Sequence, residues 1–164
     1  MQPKDLHGGL AFFFEQDHRD CEARWVDVEE LLDANDIEMA QAAWRKYEAS
    51  MYRHLAMEEE VLLPAIDAKG GEADEAVIEI INAEHEQMRV LLEQISAAIK
   101  SEAADQAIEL GDTLLMLLQQ HNESEENLLY PMAQDLLADE WDQHSPAQRQ
   151  GRYADHCQIN QIIG

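Results

Sequence analysis

The chain has 164 residues, 35 of them acidic and 11 basic, and a formal net charge of −24 at pH 7. That length suits one domain with a core able to stand alone, and the charge argues against a nucleic-acid surface, because phosphate binding needs Lys and Arg. No apolar run is long enough to span a membrane, and the start, Met1 to Gly9, lacks the basic region and apolar core of a signal peptide, so a cytoplasmic location is expected.

Gly and Pro are sparse and clustered, which predicts long helices with short links. The first helix is expected from about Leu10 to Ala34, with the apolar line Phe14, His18, Cys21, Trp25, Val28 and Leu32 in steps of 3 and 4. Asn35-Asp36 makes a turn, and Asp36 can cap the second helix. That helix carries the line Trp44, Tyr47, Met51, His54, Glu58, Val61 and runs to about Leu63. Pro64 should end or kink it, because its ring clashes with the carbonyl four residues back. After the loop Lys69-Gly70-Gly71, a third helix from about Asp74 to Lys100 carries Ile78, Ile81, His85, Met88, Leu92, Ile95 and Ile99. Ser101 is positioned to cap the fourth helix, with Leu114, Leu118, His121, Glu125 and Leu128 on its seam. After Ala138 the pattern fades, and Ser145-Pro146 opens a short helix to about Ile162. The expected fold is therefore all-α: an up-down-up-down four-helix bundle over residues 1–138, with a helical extension over 139–164 that packs on the bundle or at a subunit interface.

The two halves are copies. His54, Glu58, Glu59, Leu62 and Pro64 return 67 residues later as His121, Glu125, Glu126, Leu129 and Pro131, and Asp17-His18 returns as Glu84-His85. So strict a period argues for a duplicated helical hairpin. Gly111 falls opposite Trp44 in this register, so the halves differ there.

Residues four apart share a helix face, so His54 and Glu58 aim at one point, as do His121 and Glu125. With His18 and His85 they make six candidate metal ligands, all on core seams. At roughly 1.5 Å per residue, all four His stand about 25 Å from the hairpin turns, in one layer. Imidazole and carboxylate donors suit iron, manganese or zinc. Six such donors exceed one tetrahedral zinc and fit two metals with bridging carboxylates and an open position.

Other residues receive plainer expectations. Glu59 and Glu126 turn away from the ligand face, toward the surface or toward the ligands' outer side. Asp17 and Glu84 either hydrogen-bond a metal-bound imidazole or sit in solvent. Phe12, Phe13 and Phe14 are packing residues, with Phe14 and its counterpart Ile81 keeping water off the metals. Met51, Met57, Met88 and Met116 are core fillers. Cys21 and Cys157 are read as reduced, and His7, His144 and His156 lie outside the repeat.

On His18, the pairs His54/Glu58 and His121/Glu125, and His85, the chain resembles the hemerythrin-like family, or HHE cation-binding domain, over about Phe14 to Pro131. Ferritin-like di-iron bundles use the opposite order, Glu-x-x-His. The resemblance implies a non-haem site of two iron ions with an oxo or hydroxo bridge. It also implies binding or sensing of oxygen, nitric oxide or peroxide, or iron handling and repair. Oxygen-carrying members have a further His where this chain has Arg89, and its repeat partner is Glu22; the chain looks more like the four-His, two-Glu bacterial type linked to stress responses. Two readings of Glu22 follow: it pairs with Arg89 beside the site, or it binds metal itself. The expected partners are a small diatomic or peroxide ligand and a second copy in a homodimer, with no nucleic acid and no membrane. The rival functions are an iron donor or weak peroxidase and a structural metal-binding module.

Overall fold

The computed structural model describes residues 9–142, and every element in that range is helical. Helix α1 spans Leu10–Asp33 and α2 spans Ile37–Met57. One π-helical turn, Glu58–Leu62, joins α2 to α3, Leu63–Asp67. The second half repeats this: α4 is Glu72–Lys100, α5 is Ala104–Ser124, a π turn covers Glu125–Leu129, and α6 is Tyr130–Asp142. Each α–π–α run is one rod, and the four rods form the bundle. The rods of each hairpin pack along their length, α1 on α2 and α4 on α5, while α1 also meets α5 and α6, and α2 meets α4.

The hairpin turns share one design. Asn35 and Glu102, 67 residues apart, both take left-handed backbone, with φ of 54° and 62°. In the first turn the Asp36 N–H donates to Leu31 O, and in the second Ala103 N–H donates to Ala98 O, each at 2.9 Å. These bonds satisfy carbonyls left over at a helix end. Asp36 caps α2 through its side chain, which accepts from Met39 N–H. The expected cap at Ser101 is not found. Its hydroxyl instead donates to Ala98 O at the end of α4. The turn uses up Glu102, so Ala103 stands at the N-cap of α5.

Pro64 does not end its helix. The π turn ahead of it lets Leu63 N–H donate five residues back, to Glu58 O, and Tyr130 N–H does the same to Glu125 O ahead of Pro131. The wider turn accommodates a proline that lacks an N–H and would clash in a regular α-helix. The extra residue also rotates the seam by one position. Leu62 and Leu129 are fully buried, whereas the expected Val61 is half-buried and Leu128 is exposed.

The remaining seam positions face inward, with Ile78 and Leu118 half-buried. Met51, Met57 and Met88 are buried, but Met116 is 76% exposed, since it lies between the seam positions Leu114 and Leu118 and points outward. The helix also runs on past Ala138 to Asp142, where Trp141 is buried and its ring lies 5.5 Å from that of Phe13. Phe12 is exposed. Residues 143–164, with His144, the expected helix from Ser145-Pro146, His156 and Cys157, lie outside the described residues, as does His7.

The core has two parts. One, around Trp25, Trp44, Tyr47 and Leu92, fills the end near the hairpin turns. The other, around Phe14, Leu62, Ile81, Leu129, Tyr130 and Trp141, fills the opposite end. Between them lies a layer of buried polar side chains.

Candidate metal centre

That layer holds His18, His54, Glu58, His85, His121 and Glu125, each no more than 4% exposed. The structure brings all six candidate ligands together. Their donor atoms form two groups, His18–His54–Glu58–Glu125 and Glu58–His85–His121–Glu125, with all atoms of a group within 4.8 Å of one another. Glu58 and Glu125 belong to both. Each opens its π turn, so the helix irregularity and the shared carboxylate coincide.

Within the layer, His18 Nε2 lies 3.1 Å from His54 Nε2 and 3.0 Å from Glu125 Oε2. His54 Nε2 is 3.4 Å from Glu58 Oε1, and His85 Nε2 is 3.2 Å from Glu58 Oε2. His121 Nε2 is 2.9 Å from Glu125 Oε1. Four of these atoms, Glu58 Oε2, His85 Nε2, His121 Nε2 and Glu125 Oε1, have no hydrogen-bond partner among the described residues. Buried polar atoms without partners are costly. Here all four belong to the second group and converge, which is the arrangement a cation would satisfy.

Every imidazole is held from behind by a carboxylate. Asp17 accepts from His54 Nδ1 at 2.8 Å and Glu84 from His121 Nδ1 at 2.7 Å. Glu59 accepts from His85 Nδ1 at 2.8 Å and Glu126 from His18 Nδ1 at 3.0 Å. The first pair acts within a half and the second pair across halves, so the repeat is kept throughout. Such partners fix the tautomer, turning Nε2 inward. Of the two readings open for Asp17 and Glu84, the hydrogen bond to imidazole is the one observed. Two guanidinium groups brace this ring of acids: Arg53 donates to Asp17 at 2.8 Å and Arg89 to Glu59 at 2.6 Å.

Arg89 also donates to Glu86. It therefore does not pair with Glu22 as one expectation had it. Arg89 faces α2 and its π turn, whereas Glu22 is exposed at the mouth of a cavity between α1 and α5. Glu22 belongs to neither ligand group. The cavity, of about 420 Å³, has a floor that includes Met51 and Met88 and reaches His18, His54 and His121.

The electrostatics follow from burial and neighbours. Burial disfavours an imidazolium at His18, yet the hydrogen bond and charge of Glu125, with Glu58 behind it, raise its pKa to about 9. The same contest raises His85 to about 11. His121 is also raised, again against burial and through Glu125. Glu125, fully buried, is nonetheless held well below the usual carboxylate range by His121, His18 and His85. Burial pushes Asp17 up, but His54 and then Arg53 outweigh it and hold the carboxyl low. In the metal-free protein, protons on imidazole thus compensate the buried acids.

Tyr130 was missed. Its hydroxyl donates to Glu58 Oε1 at 2.6 Å and lies 2.9 Å from both Glu125 Oε2 and His18 Nε2. Its ring stacks on Phe14, centroids 5.2 Å apart, and Phe14 also lies edge-on to His54. The available signal was one mismatch in the repeat: Leu129-Tyr130-Pro131 stands where the first half has Leu62-Leu63-Pro64.

No curated protein and no solved structure matches the chain. Residues 10–133 match the hemerythrin HHE cation binding domain, a stretch that reaches into α6 and contains every member of both His/Glu groups. Four inward imidazoles, two shared carboxylates and this match agree: the chain belongs to the hemerythrin HHE cation-binding family.

Proposed function

We propose that the protein holds two iron ions and binds or senses oxygen, nitric oxide or peroxide at them. His18, His54, Glu58 and Glu125 would hold one ion, and Glu58, His85, His121 and Glu125 the other. Bound iron would supply redox chemistry and an open position for the small ligand; manganese or zinc suits the same donor types. The observation that carries this reading is the pair of four-residue groups that share both carboxylates and include four orphaned, converging atoms.

The chain's own residues have definable tasks in this reading. Asp17, Glu59, Glu84 and Glu126 keep each Nδ1 protonated and each Nε2 turned to the centre. Phe14 and Ile81, both buried, close the side toward the Trp141 end and keep bulk water away. The cavity between α1 and α5 gives a small molecule a route to His121. That route favours a reactive centre over a purely structural metal. The same reading takes residues 1–138 as the metal-holding bundle and 139–164 as an extension packed on it or at a subunit interface.

The test is to load metal-free protein with ferrous iron without oxygen, count the iron per chain, then expose it to oxygen or nitric oxide and record visible and paramagnetic resonance spectra. Two ions per chain and a new charge-transfer or nitrosyl signal are expected. Failure to take up metal would sink the reading. Uptake with no response to either gas would leave a structural metal site. Peroxide turnover, or iron transfer to an apo iron–sulfur protein, would move the role toward scavenging or repair.

A further inference from the structure

The six-donor scheme treats the two metal positions as equivalent, and the structure does not. In the second group the inward atoms make no hydrogen bond and meet one another only as ion pairs, His121 Nε2 to Glu125 Oε1 at 2.9 Å and His85 Nε2 to Glu58 Oε2 at 3.2 Å. In the first, Glu58 Oε1, Glu125 Oε2 and His18 Nε2 all converge on a single phenol oxygen, that of Tyr130. A hydroxyl has one proton, so it can donate to only one of these three atoms. The position equivalent to Tyr130 in the other half is Leu63, which is buried and has no donor atom to offer. The phenol is rigidly placed: Tyr130 is fully buried, its ring stacks on Phe14, and the adjoining π turn sets its backbone one residue out of α-helical register.

We propose that Tyr130 is a seventh protein ligand, donating its phenolate oxygen to the ion held by His18, His54, Glu58 and Glu125. This rests on the di-iron reading above. On loading, a metal–oxygen bond forms, the O–H bond breaks, and the proton passes to solvent. No oxidant is required. The first position then has five protein donors, two imidazoles, two carboxylates and one phenolate. The second has four, and Leu63 adds none. The duplicated hairpin thus yields two unequal positions; the cavity touches ligands of both, His18 and His54 of the first and His121 of the second, and the second, with one protein donor fewer, is left to take an external ligand.

The experiment compares the parent protein with Tyr130→Phe and Tyr47→Phe. Tyr47 is the control because it is also buried and lines the same cavity. Each protein is loaded with iron, oxidised to the ferric state, and measured for iron per chain, visible absorption and resonance Raman scattering. The expected result is two irons per chain in all three. A phenolate-to-iron band with tyrosinate ring modes should be present in the parent and in Tyr47→Phe, and lost in Tyr130→Phe. The variant removes one oxygen and keeps the buried ring, and its helical circular dichroism checks the fold. Two irons with no tyrosinate modes in the parent, or modes that survive in Tyr130→Phe or vanish in Tyr47→Phe, would overturn the assignment and leave the di-iron reading standing. No iron bound in the parent would overturn both.

Discussion

Replacing Asp17 by Asn probes how the centre is held without touching a proposed ligand. Asp17 Oδ2 accepts from His54 Nδ1 at 2.8 Å, and Oδ1 accepts from Arg53 at 2.8 Å. The side chain is 10% exposed, so water screens little of this. An Asn keeps the shape and one acceptor oxygen but removes the charge. Its amide nitrogen would have to face either the His54 N–H or the Arg53 guanidinium, donor against donor. Charge-assisted hydrogen bonds are roughly twice as strong as neutral ones, and losing the carboxylate behind a metal-bound imidazole costs about 10–100-fold in affinity. That is about 1.4–2.7 kcal/mol. The assay is competition for metal against a coloured chelator at fixed pH, with Asp20→Asn as control, since Asp20 is exposed on the same helix and contacts only Gln16 in the hydrogen bonds described. Asp17→Asn should bind at least tenfold more weakly, and Asp20→Asn should match the parent. A folded Asp17→Asn protein with affinity within threefold of the parent would refute the argument that the outer carboxylates tune the imidazoles.

Three further outcomes are expected. Gly111→Ala would place a Cβ 2.3 Å from the Trp25 ring, which Tyr47 and Trp44 box in; overpacking of about 1–3 kcal/mol exceeds the roughly 1 kcal/mol gained in helix propensity, so thermal melts should show a Tm lower by a few degrees rather than higher. His18 and His85 have folded pKa values raised to about 9 and about 11 from the ordinary 6.5 of histidine. The stability they contribute to metal-free protein is complete below pH 6.5 and lost as pH rises through 9 toward 11. The melting temperature of metal-free protein should therefore fall across that window while metal uptake releases protons and tightens, and a flat melting profile would contradict this. Burial pushes the Cys21 thiol up to about 12, so in a Cys157→Ser background a thiol reagent at pH 8 should label the native protein slowly and the denatured protein at once.

Much of this was legible in the sequence because it depends on period. Steps of 3 and 4 put His18, His54, His85 and His121 on the inner faces of four helices, and the 67-residue repeat put them at one height. These are local rules of helix geometry, which the tertiary fold obeys here. The mismatch of Gly111 with Trp44 was also visible, but not its reason. Trp25 from α1 fills the space over Gly111, so a large residue in one half is accommodated by a missing side chain in the other.

The sequence alone determined the helical class, the four rods, and six of the polar side chains that share the core with apolar ones. Tertiary structure decided what periodic extrapolation cannot reach. The π turns moved the seam from Val61 and Leu128 to Leu62 and Leu129, because the wider turn that accommodates Pro64 and Pro131 inserts one extra residue there. Which acid stands behind which imidazole depends on packing between rods: Glu126 reaches His18 across 108 positions of chain. Tyr130 meets Glu58 and His18 for the same reason, since a side chain's aim is set by the helices around it, and no spacing rule along one helix contains that information.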